Sequence, residues 1–240
     1  MLPAHSKKIV IVKAGHKLPS LARTTGDFEQ WIISAMGRSA NEFMIIEPQT
    51  ISEYPLNEQL KAVLITGSSS MVTEQSDWIR DCATWLGEVS GLSIPVLGIC
   101  FGHQLLAHAL GGMVNDNPAG VEVGTQCMRV LPAAKGDQLF DGLSELPVQT
   151  SHKQAVLKLP DGASRLATTD RDSNHAFRFR ESVWGVQFHP EFSLAVTRHY
   201  IRYYQDKGLL KEEPQGLLDN CDETPQAAAI LSKFSNVIGN

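Results

Sequence analysis

The sequence predicts an α/β fold, a mostly parallel open sheet flanked by helices, on three observations. Short apolar runs closed by turn residues, "KKIVIVKAG", "FMIIEP", "KAVLITG" and "IPVLGIC", read as strands buried on both faces, which need no polar alternation. Stretches with apolar residues at helical spacing lie between them, and strands that alternate with helices return to one sheet in parallel. After residue 112 the texture changes to strands with little helix, which adds antiparallel strands, and the chain closes with a C-terminal helical extension.

The elements follow in order. After "KKIVIVKAG", the segment "GDFEQWIISAMGR" offers Asp27 as an N-cap and places Phe28, Trp31, Ile32 and Ala35 at helical spacing. Trp78, Ile79, Cys82 and Leu86 recur at helix period between Glu74 and Gly87. "IPVLGIC" is a strand and "FGHQLLAHALGG" the helix after it, stopped by Gly111 and Gly112. "VEVGTQCMRVL", "PVQTSH", "SRLATT", "HAFRFR" and "SVWGVQF" then read as strands. "SLAVTRHYIRYYQDKG" is a helix from an N-cap at Ser193 to a stop at Gly208, and beyond it a polar link leads to a last helix from about Thr224. Residues 1–208 are expected to form one domain, with 209–240 as a helical extension packed on it.

Hydrophobic residues make up 42% of the 240 and charged residues 20%, as in an ordinary globular protein. A net charge of -5 without a basic stretch argues against a nucleic-acid or anionic-membrane partner. The apolar run near the start is too short for a signal peptide, and nothing approaches a membrane span, so a cytoplasmic location is expected. Cys82, Cys100, Cys127 and Cys221 have neither disulfide density nor metal-ligand spacing; no metal and no cofactor are expected.

Gly98-Ile99-Cys100-Phe101-Gly102 has the G-x-nucleophile-x-G form of a nucleophile elbow, in which glycines permit a tight strand-to-helix turn. A thiol there meets unpaired backbone N–H groups and the helix dipole, both of which favour the thiolate. By this pentapeptide alone Cys100 reads equally as a nucleophile or as a small buried hydrophobe. A nucleophile also needs a base and an orienter. "WGVQFHPEF" supplies His189 and Glu191, two residues apart and therefore on one side of an extended segment. His103 and His108 read as structural or exposed, and His5, His16, His175 and His199 receive no role.

"GICFGHQLLAHALGG" followed far downstream by "GVQFHPEF" resembles the class I (triad) glutamine amidotransferase domain, like that in GMP synthase, from the first strand to about Lys207. The resemblance implies the flavodoxin-like fold of that family and a Cys-His-Glu triad of Cys100, His189 and Glu191. It makes Cys100 the nucleophile toward the glutamine side-chain amide, His189 the acid and base, and Glu191 the residue that orients His189. It implies an oxyanion hole from the backbone N–H groups of Ser68 and Phe101, and substrate binding by Gly67, Gln104, Ser151 and His152, the last two through backbone groups.

Gly67 is followed by Ser68-Ser69-Ser70 where many synthetase-linked members have Gly-Gly-Pro. The "GDFEQW" segment and the tail "AAAILSKFSNVI" resemble solitary members, γ-glutamyl peptidases among them. The expected activity is hydrolysis of the γ-glutamyl amide of glutamine or of a γ-glutamyl conjugate. Other readings are an ammonia-supplying subunit that works with a separate synthetase, a thiol enzyme of α/β-hydrolase type, and a non-catalytic redox sensor. An acid that follows the histidine by two residues counts against the α/β-hydrolase order.

Overall fold

The computed structural model describes residues 7–22 and 26–239, which leaves His5 outside. The run after Lys7 is β1 (Lys8–Val12), followed by α1 (Phe28–Met36), β2 (Phe43–Ile46), β3 (Leu60–Ile65), α2 (Asp77–Val89), β4 (Val96–Ile99) and α3 (Phe101–Ala109). The second half adds β5 (Met113–Asp116), β6 (Glu122–Val130), β7 (Glu145–His152), β8 (Gln154–Lys158), β9 (Ala163–Thr168), β10 (Ala176–Phe179) and β11 (Val183–Val186). Three helices follow: α4 (Leu194–Asp206), α5 (Pro214–Asp219) and α6 (Pro225–Ile238).

The large sheet runs β2-β1-β3-β4-β11-β10-β9-β6-β7. Its first five strands are parallel neighbours, and every later pairing is antiparallel. The α/β class and the antiparallel addition are therefore as the sequence predicts. Side chains alternate between the two faces: Ile9 and Ile11 join a core with Ile32, Trp184 and Phe234, whereas Val10 and Val12 join one with Ile79, Leu86 and Leu105. Both faces are covered, which explains the unbroken apolar runs.

The expected caps are present. The Asp27 side chain accepts from the Phe28 amide, Ser193 accepts from the Val196 amide, and α6 begins directly after Thr224. Three elements lie outside the sequence reading. β5 and β8 form a separate two-stranded sheet, and α5 occupies the stretch read as a polar link. β5 exposes three of its four residues, so it has no apolar pattern to betray it. Among the described residues no helix is long and apolar enough to cross a membrane.

Candidate active site

The site lies at the carboxyl ends of β4 and β11, where open α/β sheets bind ligands. β4 and β11 are parallel neighbours, with Ile99 opposite Val186, and the Cys100 amide donates to the Val186 carbonyl at 2.9 Å. Cys100 follows β4 and caps α3 at φ 52°, a conformation that L residues other than glycine seldom adopt. The flanking glycines permit the tight strand-to-helix turn by allowing close approach. A β-carbon on Gly98 would stand 2.4 Å from the Gly102 carbonyl oxygen, and one on Gly102 would stand 2.5 Å from that of Ile65. Strand and helix touch backbone to backbone, and the strain falls on Cys100 itself.

His189 follows β11 and is buried, with Nδ1 2.7 Å from Glu191 Oε1. The expected extended segment is not what joins them. His189, Pro190, Glu191 and Phe192 form a turn, closed by the Phe192 amide on the His189 carbonyl at 3.3 Å. Proline fixes φ and favours turns, so Pro190 brings ring and carboxylate together around a corner. The Phe192 ring stacks on the imidazole at a centroid distance of 3.9 Å and is itself backed by Phe28 and Tyr200. Burial opposes charge on His189, but the Glu191 carboxylate and the Cys100 thiol beside it prevail and raise its pKa to about 10. The ring thus favours its protonated form, hydrogen-bonded on one side to Glu191 and lying beside Cys100 on the other.

The remaining residues named from the sequence gather around a cavity of about 520 Å³ that Cys100 and His189 line together with Ser68, Phe101, Gln104, Ser151 and His152. Gly67 packs directly on the His189 ring. Phe101 opens α3, so its N–H has no acceptor within the helix. The Cys100 thiol faces the Ser151 carbonyl at 3.7 Å, and the Ser151 hydroxyl donates to Tyr204 at 3.5 Å. Gln104 is fixed by donating to the Gln154 carbonyl at 2.7 Å and to Gln187 Oε1 at 3.0 Å. Asp27 anchors another wall: it accepts from the Lys17 amide and meets the buried Lys13 ammonium at 3.1 Å, which Glu29 also binds.

Sequence reasoning missed one group beside the cavity. Glu122, His152, Asp172 and His175 are buried, and each brings one potential ligand atom within 4.8 Å of the others. Both oxygens of Glu122 and both ring nitrogens of His152 are already hydrogen-bonded, whereas Nε2 of the buried His175 has no hydrogen-bond partner. Glu122 and His152 come from two strands and Asp172 and His175 from the loop between β9 and β10, and no sequence spacing brings the three segments together. His103, on α3, is fully buried against Phe177, while Cys82 lies in the core, where burial pushes its thiol up to about 12.

Residues 25–205 match the family model "Glutamine amidotransferase class-I". The chain is 34% identical over 166 residues to a glutamine-hydrolyzing GMP synthase subunit of Archaeoglobus fulgidus, covering 65% of this chain and 84% of that protein. It is 26% identical over 197 residues to γ-glutamyl peptidase 4 of Arabidopsis thaliana, covering 79% and 78%. A Saccharomyces cerevisiae protein described as a candidate glutamine amidotransferase is 33% identical over 166 residues, and the match spans 64% of its length and 68% of this chain. The fold superposes on a glutamine amidotransferase from Thermotoga maritima with a TM-score of 0.74 and 21% identity, over 97% of this chain and 99% of that one. The chain belongs to the class I glutamine amidotransferase family.

Proposed function

We propose that this protein is a thiol amidohydrolase that cleaves γ-glutamyl amides through a thioester on Cys100. The observation that carries this reading is the buried ring of His189, bound to the Glu191 carboxylate at 2.7 Å beside a Cys100 thiol displayed on a strained elbow. The Cys100 sulfur attacks the side-chain carbonyl carbon, and the carbonyl oxygen takes up the negative charge. The N–H groups of Ser68 and Phe101 receive that oxyanion; losing one such donor typically costs about 100- to 1000-fold in rate. The tetrahedral adduct collapses as the C–N bond breaks and the amine leaves with the proton from His189. Water then gives a proton to His189 and attacks the thioester, releasing glutamate and freeing the Cys100 sulfur for another cycle.

The amine need not be ammonia. A cavity of about 520 Å³ falls within the range of roughly 300–1,000 Å³ typical of small-molecule and cofactor sites. That room, together with likeness to a γ-glutamyl peptidase, favours a γ-glutamyl conjugate over free glutamine. A second reading, ammonia supply to a separate synthetase, is favoured by the likeness to a glutamine-hydrolyzing GMP synthase subunit. The test is kcat/KM of the lone protein on glutamine and on a panel of γ-glutamyl dipeptides and amines. Turnover of conjugates without a partner is expected. Negligible turnover alone, rising steeply when a particular synthetase is added, would favour the second reading.

A further inference from the structure

Four buried side chains that the proposed reaction leaves unused stand behind one wall of the cavity. Glu122 and His152 are cross-strand partners on β6 and β7, and Asp172 and His175 come from the loop between β9 and β10. Their hydrogen bonds fix the protons. His152 Nδ1 lies 2.9 Å from the Gln154 carbonyl oxygen, which can only accept, so Nδ1 carries hydrogen. His152 Nε2 lies 2.7 Å from Glu122 Oε2. A neutral ring protonated at Nδ1 would aim a bare lone pair at that carboxylate, so a second proton lies between Nε2 and Oε2. Glu122 Oε1 accepts from the Thr169 hydroxyl at 2.7 Å, as an ionised carboxylate does.

We propose that His152 is a positioning residue: a fixed imidazolium whose two N–H bonds clamp the end of β7 to β6 and to the start of β8. It thereby shapes the wall from Ser151 to Gln154 that receives the glutamyl part of the substrate. This rests on the γ-glutamyl reading above. Both donor bonds exist together only in the doubly protonated ring, so a neutral side chain must release either Glu122 or the Gln154 carbonyl. The Gln154 carbonyl also accepts from Gln104, and the Ser151 carbonyl faces the Cys100 sulfur, so the clamp reaches two further parts of the site.

The surroundings support the charge. Burial disfavours the cation, but the hydrogen bond and charge of Glu122 prevail, with Asp172 and the Cys100 thiol adding to them, and raise the His152 pKa to about 9. His152 in turn helps to hold Glu122 below the usual carboxylate range against its own burial. Asp172 is held low as well, mainly by His175, whose Nδ1 it meets at 3.3 Å. The His175 ring stands 6.0 Å from that of His152, and His103 faces the same group from α3.

The test uses the full chain carrying Cys100→Ala, labelled with ¹⁵N and ¹³C in histidine. At pH 7 the His152 ring, assigned by its disappearance in His152→Gln, should show both nitrogens protonated. A neutral ring, or one bound to a stoichiometric co-purified metal, would overturn the proposal. In the same background, calorimetry should show Glu122→Gln weakening glutamine binding roughly 10- to 100-fold, the scale of a lost charge-assisted hydrogen bond. In the active enzyme that substitution should raise KM similarly while kcat changes less than about threefold, the pattern of lost uniform binding. Unchanged binding, or a loss confined to kcat, would overturn it. If Glu122→Gln does not fold, Thr169→Val should weaken binding in the same direction to a smaller extent. Failure of Cys100→Ala to bind glutamine or any γ-glutamyl dipeptide would instead refute the γ-glutamyl reading, and the ring spectrum would still report the charge of His152.

Discussion

Gly67 lies against the Cε1 edge of His189, so close that a β-carbon there would stand 2.9 Å from that atom. That ring is stacked on Phe192 and bound to Glu191, which leaves it little room to retreat. Gly67→Ala should therefore displace the imidazole by tenths of an ångström. A misplacement near 1 Å can cost about 100-fold, so a fall in kcat/KM of roughly 10- to 100-fold is expected, with little change in melting temperature. Kinetics and a thermal melt on the same preparation check this. Full activity would mean that the ring tolerates movement.

Cys100 should be the only thiol that activity needs. Cys100→Ala should lower turnover by about 10⁴-fold or more, the scale seen when a nucleophile is removed. Cys127→Ala and Cys221→Ala should remain active, and Cys82→Ala should cost some stability but not the chemistry. A glutamine analogue bearing an electrophile should label Cys100, with peptide mapping as the readout. Labelling at another cysteine would overturn the assignment.

Cys100 and His189 should behave as one unit. His189→Ala should be nearly as damaging as Cys100→Ala, and the double variant little worse than either, because residues that act together lose their effect together. A double-mutant cycle in kcat/KM checks this; additive losses would mean that the two act separately.

The pKa of His189, raised to about 10, sets an alkaline limit. The protonated ring is the acid for the departing amine, so kcat/KM should hold from neutral pH and fall as pH rises through about 10. In Glu191→Gln the supporting charge is gone while burial still opposes the cation, so the fall should begin at lower pH. Matched pH profiles of the two proteins check this. An alkaline limb that does not move would assign that limit to another group.

α6 should be integral to stability. Phe234 is fully buried edge-on to Trp184, whose indole N–H donates to Asp137 at 3.2 Å. Phe234→Ala should destabilise the fold by about 3–5 kcal/mol, as for other large aromatic truncations, with a matching fall in the denaturation midpoint. A loss below about 1 kcal/mol, the scale of a peripheral contact, would mean that the helix is only loosely attached.

Much of this was legible in the sequence where local rules govern. The apolar runs of β1, β3 and β4 announce strands buried on both faces, Asp27 and Ser193 announce helix starts, and the glycines around Cys100 announce a close strand-to-helix turn. The rest depends on contacts that no local spacing records. β5 becomes a strand by pairing with β8, and Glu122 meets His152 only because β6 and β7 pair in a particular register. The period of a strand suggested that His189 and Glu191 share a side, and Pro190 brings them together by a turn instead.

The adjacency of β4 and β11 carries a consequence for biosynthesis. Cys100 leaves the ribosome well before His189, yet its partner strand in the parallel ladder is the one that carries the histidine. β11 must enter between β4 and β10 before thiol and imidazole can meet. In the proposed reaction, the sulfur therefore gains its partner only when the sheet closes. The amide proton of Cys100, bound to Val186 across that seam, should exchange with solvent as slowly as the slowest in the molecule, which would make it a direct reporter of when the enzyme becomes armed.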